Sequence, residues 1–192
     1  LQFIPSAFVA AVYPAMSALF ATDKTKLKVV FIKTMNILAL IAAPIALGSL
    51  LTASDIVTLA YGAEYIPSIR SFQLVVPSIF FVFLTFPIGA LFNASNRQKI
   101  TTGLMIGAVI LNTILNLVLI PRFDFFGASI AWFATNIVWF GAGIVIAYRF
   151  LRLAPQDLAL LARVVFSGLF MSAAILLARP YLSLAPLVLL AA

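Results

Sequence analysis

Three oxygen-bearing side chains lie within long apolar stretches of the sequence and could together hold a cation. Asn112 and Asn116 are four residues apart, which places them on one face of a helix, and Ser129 lies in the next apolar stretch. Hard cations accept amide, hydroxyl and carbonyl oxygens, but without a carboxylate such a site binds them weakly. The alternative is hydrogen bonding between helices, which the small residues Gly127 and Ala128 would allow. We favour this packing role and keep the cation site as the second hypothesis.

Basic side chains near the ends of the apolar stretches could contact phosphate. Lys33 shares a helical face with Asn36, so its ammonium group could hold a phosphate at the inner mouth of a cavity. Arg70 also borders an apolar stretch. The simpler role is snorkelling, in which the apolar stem lies along the helix and the charge reaches the lipid headgroups. Snorkelling is the preferred interpretation for these residues.

Aromatic side chains offer a surface on which sugar rings could stack. Trp132 and Trp139 are seven residues apart. Four phenylalanines crowd an earlier stretch, namely Phe80, Phe81, Phe83 and Phe86. Lipid-facing phenylalanine and interfacial tryptophan would explain these residues equally well.

The residue types needed for most catalytic chemistry are absent from the sequence. There is no Cys and no His, which excludes thiol redox chemistry, a Cys/His zinc site and a Ser-His-Asp triad. No nucleotide-binding loop, paired catalytic carboxylates or metal-ligand cluster occurs either. We therefore predict that the protein is not an enzyme and has no cofactor or metal. Carboxylates are also absent from the apolar stretches, so coupling to H⁺ or Na⁺ has little support in this sequence.

The elements that position these residues must be membrane-spanning helices. The chain has 192 residues, of which 65% are hydrophobic and 9% charged, and its mean hydropathy is +1.20. A soluble domain carries about 25% charged residues, so this composition excludes a soluble enzyme. The net charge of +7 does not indicate nucleic-acid binding, because the basic residues are scattered between apolar runs.

The uncharged runs predict an all-α polytopic bundle of six transmembrane helices and a truncated seventh. A spanning helix needs about 20 apolar residues, and period-two alternation is absent. The predicted spans are 1–22, 29–52, 71–95, 100–121 and 125–149 in a bundle over 1–152, followed by 158–178 and a truncated 181–192 within 153–192. Because both ends lie in apolar runs, we expect the chain to be part of a longer protein.

The basic residues predict the orientation of these spans in the membrane. Nine of the 12 lie in odd-numbered connections: Lys24, Lys26, Lys28, Lys33, Arg97, Lys99, Arg149, Arg152 and Arg163. The even-numbered connections have one each, namely Arg70, Arg122 and Arg179. Positive residues favour the cytoplasmic side, so the odd connections are predicted to be cytoplasmic and the first span to run inward. The outer connection at 52–71 is predicted to contain a short interfacial helix that ends at Gly62.

Proline residues inside the spans are candidate hinges. Pro44 lies in the second predicted span, and Pro77 and Pro87 share the third with Gly89. Each removes a backbone hydrogen bond and tends to bend a helix. Bending during a transport cycle and static kinking are both consistent with this pattern.

Several short strings, taken in order, resemble one family of membrane proteins. They are IPSA at 4–7, YPAMS at 13–17, DIV at 55–57, YGAEY at 61–65, LFNASNRQK at 91–99, LNTILNLVLIP at 111–121 and GAS at 127–129. From Pro5 to Arg152 the chain resembles the C-terminal half of prokaryotic polysaccharide-export flippases of the O-antigen and teichuronic-acid type. Their superfamily also contains multidrug extruders and lipid II flippases.

The resemblance implies one lobe of a two-lobe transporter with twelve to fourteen helices in the cytoplasmic (inner) membrane. Such a protein moves a polyprenyl-pyrophosphate-linked oligosaccharide from the inner to the outer leaflet by alternating access. Its partners would be that lipid, the surrounding membrane lipids and the missing N-terminal helical bundle. In relatives, cationic cavity residues bind pyrophosphate, for which Lys33 and Arg70 are the candidates here. Members of the lipid II branch have a sodium site whose spacing Asn112 and Asn116 resemble, and coupling to Na⁺ or H⁺ is left open.

Two other functions remain as alternatives. A multidrug or cation antiporter of the extruder family is disfavoured, because cationic drugs need anionic partners that these spans lack. A membrane-embedded glycosyltransferase or polymerase subunit would need catalytic residues in the outer loops. The charged residues that those loops offer for catalysis are few, namely Asp55, Glu64, Arg70, Arg122, Asp124 and Arg179.

Overall fold

The apolar runs fold into helices in a computed structural model of the protein, which describes residues 2–154, 157 and 159. The α-helices are α1 (Phe3–Thr22), α2 (Lys24–Leu51), α3 (Ala53–Tyr61), α4 (Ile69–Val75), α5 (Ser78–Ala94) and α6 (Gln98–Leu151), with a 3₁₀ helix at Ala63–Ser68. No strand occurs in this described part. The prediction of an all-helical fold is therefore confirmed for these residues.

Four helical segments of the described residues are long and apolar enough to cross a membrane. They are Phe3–Thr22, Lys24–Leu51, Ala63–Ala94 and Gln98–Leu151. The predicted spans at 158–178 and 181–192 fall almost entirely outside the described residues, so the total of six and a truncated seventh stays a prediction.

The longest helix, α6, is folded back on itself at Asp124. As one straight helix, its 54 residues would be about 80 Å long, against a hydrocarbon core of about 30 Å. Asp124 leaves the helical conformation, with φ 50° and ψ −136°. It divides α6 into a first arm, 98–123, and a second arm, 125–151. The residue ranges of these arms correspond to the fourth and fifth predicted spans.

Contacts on either side of Asp124 show that the two arms are antiparallel. Near the turn, the backbone of Gly127 lies against the carbonyl of Leu119. Farther away, Asn112 is hydrogen-bonded to Thr135. Farther still, a Cβ added at Gly143 would lie 3.7 Å from Leu104 Cδ1. The members of each pair are at similar distances along the chain from the turn, as in a helical hairpin.

Helix α5 lies at the centre of the bundle and contacts α1, α2 and α6. Its side chains Phe83, Leu84, Ile88, Leu91 and Phe92 are 0–1% exposed. Close packing of this kind stabilises helix association in membranes, where the lipid is as apolar as the side chains. α5 is therefore the scaffold against which the other helices are positioned.

Local chain signals explain where the helices begin and end. Asp23 caps α2 by accepting hydrogen bonds of 3.0 Å from the backbone N–H groups of Lys26 and Thr25. The N–H of Lys26, together with that of Thr25, holds the pKa of Asp23 below its ordinary value. At the end of α5, Asn96 takes a left-handed conformation with φ 56°, and the N–H of Arg97 bonds back to Phe92.

The short connecting helix predicted in the second connection is α3, which ends before Gly62, whose φ is 89°. The three candidate hinge prolines lie in different settings. The helix continues through Pro44 in α2 and Pro87 in α5, whereas Pro77 separates α4 from α5. Bending at these prolines during transport stays a prediction.

An ion pair joins α2 to the segment that follows α6. The ammonium group of Lys28 lies 2.6 Å from Asp157 Oδ2, and the two side chains are 26% and 20% exposed. The same carboxylate accepts a hydrogen bond from the backbone N–H of Ala154. Lys28 and then Ala154 hold the pKa of Asp157 below its ordinary value of 3.8. This contact fixes the end of the second arm against the start of α2.

We expect Asp157→Asn to destabilise the protein at neutral pH and to destabilise it less in acid. The folded-state pKa of Asp157 is lowered, so its contribution to the free energy of unfolding is present above about pH 4 and is lost as the pH falls through the lowered value. Chemical unfolding of the purified protein in detergent at about pH 7 and about pH 3 measures the difference. Glu64→Gln, at an exposed carboxylate, is the control. Equal destabilisation by Asp157→Asn at both pH values would contradict this expectation.

Candidate functional site

A groove runs between α1, α5 and both arms of α6. It consists of two adjoining cavities of about 440 and 410 Å³. Both cavities are lined by Thr85, Phe86, Met105 and Trp139, so they adjoin, and we call them together the central groove. The volume of each is in the range of sites that bind small molecules.

The aromatic wall of the central groove comes from α5 and the second arm. Trp132 and Trp139 are about two helical turns apart on one side of that arm, and Phe86 faces the same space. Trp132 donates a 2.9 Å hydrogen bond from Nε1 to Ser78 Oγ, and Ser78 in turn donates to the carbonyl of Val75. The interruption at Pro77 thus provides the partner that orients Trp132.

A chain of hydrogen bonds lies along the hairpin beside the groove. Asn116 Nδ2 donates to Asn112 Oδ1 over 2.8 Å, and Asn112 Nδ2 donates to Thr135 Oγ1 over 3.2 Å. Thr135 completes the chain by donating to the carbonyl of Ala131 over 2.7 Å. Asn112, Thr135 and Asn136 line the groove. Their polar atoms therefore both join the two arms and face the space between the helices.

The structure brings together part of the predicted cation-binding set. Asn112 and Asn116 are in direct contact, whereas Ser129 donates its hydroxyl to the carbonyl of Phe125 in its own arm, 3.2 Å away. The buried oxygen Asn116 Oδ1 has no hydrogen-bond partner. Within the described residues, no cluster of three or more His, Cys, Asp or Glu side chains could hold a metal ion.

The predicted phosphate-binding residues lie apart from one another and from the groove. Lys33 is exposed and Asn36 is half-buried, one turn apart on α2, which does not line the groove. The buried oxygen Asn36 Oδ1 has no hydrogen-bond partner. Lys33 lies about 27 Å along the helix axis before the end of α2 at Leu51, and Arg70 lies in α4. Lys33 and Arg70 are therefore on different helices, and neither lines the central groove.

Two polar residues of the site were not singled out from the sequence. Thr135 is the partner of Asn112, and Ser78 is the partner of Trp132. A pairing of the fourth and fifth spans about residues 122–125 would have placed Thr135 opposite Asn112. Nothing in the local sequence indicates the contact of Ser78, because 54 residues separate it from Trp132.

The described residues thus define an all-helical protein with four segments suited to crossing a membrane and a groove lined by apolar, aromatic and polar side chains. Residues 1–70, just over a third of the chain, match the model of a family described as polysaccharide biosynthesis protein. No curated protein and no solved structure matches the chain. The match supports a polysaccharide biosynthesis or export family, and with the long apolar helices it indicates a membrane protein.

Proposed function

We propose that this chain is one lobe of a transporter in the cytoplasmic membrane that moves a polyprenyl-pyrophosphate-linked oligosaccharide from the inner to the outer leaflet by alternating access. The observation that carries this proposal is the central groove, in which two indole rings, amides and hydroxyls are gathered between apolar helices. The family match at residues 1–70 supports a saccharide as the cargo.

The groove offers a sugar both polar and apolar contacts. Asn112 and Asn136 each donate one amide hydrogen to a protein partner, and because an amide carries two, each has a second donor for a ligand hydroxyl. Sugars present hydroxyls to amides and apolar ring faces to indoles such as Trp139. A groove with both kinds of wall therefore matches an oligosaccharide.

The separation of Lys33 and Arg70 suits a cargo whose charged group crosses the membrane. With the predicted orientation, Lys33 lies toward the cytoplasmic end of α2 and Arg70 lies in the outer connection at 52–71. The charge pattern thus assigns them to opposite sides of the membrane, so one bound pyrophosphate is not expected to contact both. We infer that each contacts the pyrophosphate at a different stage, Lys33 when the cavity is open inward and Arg70 when it is open outward.

We expect Trp139→Ala in the complete protein to lower transport of the lipid-linked oligosaccharide about tenfold, since loss of an aromatic contact of about 1.4 kcal/mol corresponds to that factor. The measurement is the rate at which the saccharide becomes accessible to an external lectin in cells with matched protein levels. Phe125→Ala is the control, because Phe125 lies in the same arm, is 58% exposed and does not line the groove.

Unchanged transport with Trp139→Ala would contradict the assignment of the groove. Transport lowered to the same extent by Phe125→Ala would also contradict it, because the effect would then come from any aromatic residue of that arm. The same cells tested with toxic cations distinguish the antiporter alternative. In that case Trp139→Ala would change drug resistance and leave saccharide export intact.

A further inference from the structure

A second cavity lies at the end of the bundle where α2 and α6 begin and α6 ends. Its volume is about 420 Å³. The floor is apolar and the rim is basic: Phe20, Leu27 and Phe150 form the floor, and Lys24, Arg97 and Arg152 form the rim. We call it the inner-end pocket, because it is surrounded by the predicted cytoplasmic connections.

Two of the rim cations are held in position by the aromatic floor. The guanidinium group of Arg97 lies 4.6 Å from the ring centroid of Phe150, and the ammonium group of Lys24 lies 5.8 Å from that of Phe20. The two phenylalanine rings are themselves in contact, with centroids 6.4 Å apart. Cation–π contacts of this kind orient a charge and leave it able to bind an anion.

The positive charge of the rim is not neutralised by neighbouring carboxylates. In the described part of the chain, the ion pairs are Asp23 with Lys26 and Asp157 with Lys28, so neither involves a rim residue. The N-terminal end of α6 also lies here and has no side-chain cap, and helix N-termini carry partial positive charge. The pocket therefore combines an uncompensated cationic rim with an apolar floor.

We propose that the inner-end pocket binds the phosphate of a lipid, with the phosphate on Lys24, Arg97 and Arg152 and the first carbons of the lipid chain on the phenylalanine floor. A soluble anion would use the rim and leave the floor exposed, whereas a lipid phosphate uses both. This inference does not depend on the central groove, and it rests on the proposed function only where the lipid is a polyprenyl pyrophosphate. The phosphate belongs either to a bulk anionic phospholipid or to a polyprenyl pyrophosphate, and the test below separates these two sources.

The test measures binding of two lipid probes to the full-length chain in phosphatidylcholine nanodiscs. The probes are phosphatidylglycerol and polyprenyl pyrophosphate, and native mass spectrometry gives a Kd for each. We expect Lys24→Gln to weaken binding roughly fivefold, and replacement of all three rim cations by Gln to weaken it more than about tenfold. Arg149→Gln is the matched control, because Arg149 is exposed at the same end of α6 and does not line the pocket. It should leave each Kd unchanged.

Weaker binding of phosphatidylglycerol alone would assign the pocket to bulk lipid, and weaker binding of the polyprenyl probe alone would assign it to that lipid class. Loss of both would support recognition of the lipid phosphate in general. The proposal is overturned if the Lys24→Gln and triple variants bind both probes as the wild type does, or if Arg149→Gln weakens binding equally. If the triple variant does not fold, Lys24→Gln decides alone, because Lys24 is an exposed residue at the start of α2.

Discussion

Gly127→Ala is expected to destabilise the protein by about 3 kcal/mol, at the upper end of the range for overpacked sites. The Cβ of alanine would collide with the backbone carbonyl of Leu119 in the facing arm of α6. Backbone atoms cannot rotate away as the tip of a side chain can, so the arms must separate near the turn at Asp124. That separation would weaken the packing of the hairpin beyond the turn. Chemical unfolding of the purified protein in detergent measures the loss.

Gly141→Ala in the second arm is the matched control for this substitution. A Cβ at Gly141 meets no heavy atom within 4 Å. Alanine is favoured over glycine in a helix by about 1 kcal/mol, so this variant should be as stable as the wild type or slightly more stable. If Gly127→Ala and Gly141→Ala unfold alike, the two arms do not approach each other as closely as the structure indicates.

The positions of the helices follow from features that act along the chain. Apolar runs longer than about 20 residues separate the charged clusters, and such runs form helices in lipid because every backbone group must be satisfied internally. The sequence also predicts a connection near 122–124, since Arg122 and Asp124 interrupt the apolar run. It does not predict that one non-helical residue, Asp124, suffices for the reversal. That tightness depends on Gly127, whose missing side chain allows the close approach to Leu119.

The candidate site was harder to predict because its partners come from different helices. The sequence places Asn112 and Asn116 on one face, and the structure has them in contact. Their link to Thr135 depends on the register between the two arms, which hydropathy does not determine. The sequence predicts a bend at Pro77. It does not predict that Ser78, the next residue, accepts a hydrogen bond from Trp132, because that contact depends on how α5 packs against the second arm. Predicting hydrogen bonds between side chains on different helices thus requires the register of those helices, which only the three-dimensional structure provides.

Asn112→Leu is expected to lower the free energy of unfolding by about 1 to 2 kcal/mol. Hydrogen bonds between membrane helices contribute about 0.6 kcal/mol on average and up to about 1.7. This substitution removes two bonds at once, because Asn112 donates to Thr135 and accepts from Asn116. It also leaves the amide group of Asn116 without an acceptor, which adds a desolvation cost. Leucine has the same branched arrangement of four side-chain heavy atoms as asparagine, so the measured loss should reflect the hydrogen bonds more than the packing.

The matched control is Asn136→Leu, since Asn136 donates only to the carbonyl of Trp132 in its own arm and does not join the two arms. We expect a smaller loss of stability for it than for Asn112→Leu.

Unfolding both variants and the wild type in sodium and in choline salts separates the two hypotheses for the amides. If they pack the arms together, Asn112→Leu lowers stability equally in both salts. If they bind a cation, sodium stabilises the wild type and this stabilisation disappears in Asn112→Leu, because a ligand that binds only the folded state raises its stability. A wild type indifferent to sodium, with a less stable Asn112→Leu variant, would assign the amides to helix packing.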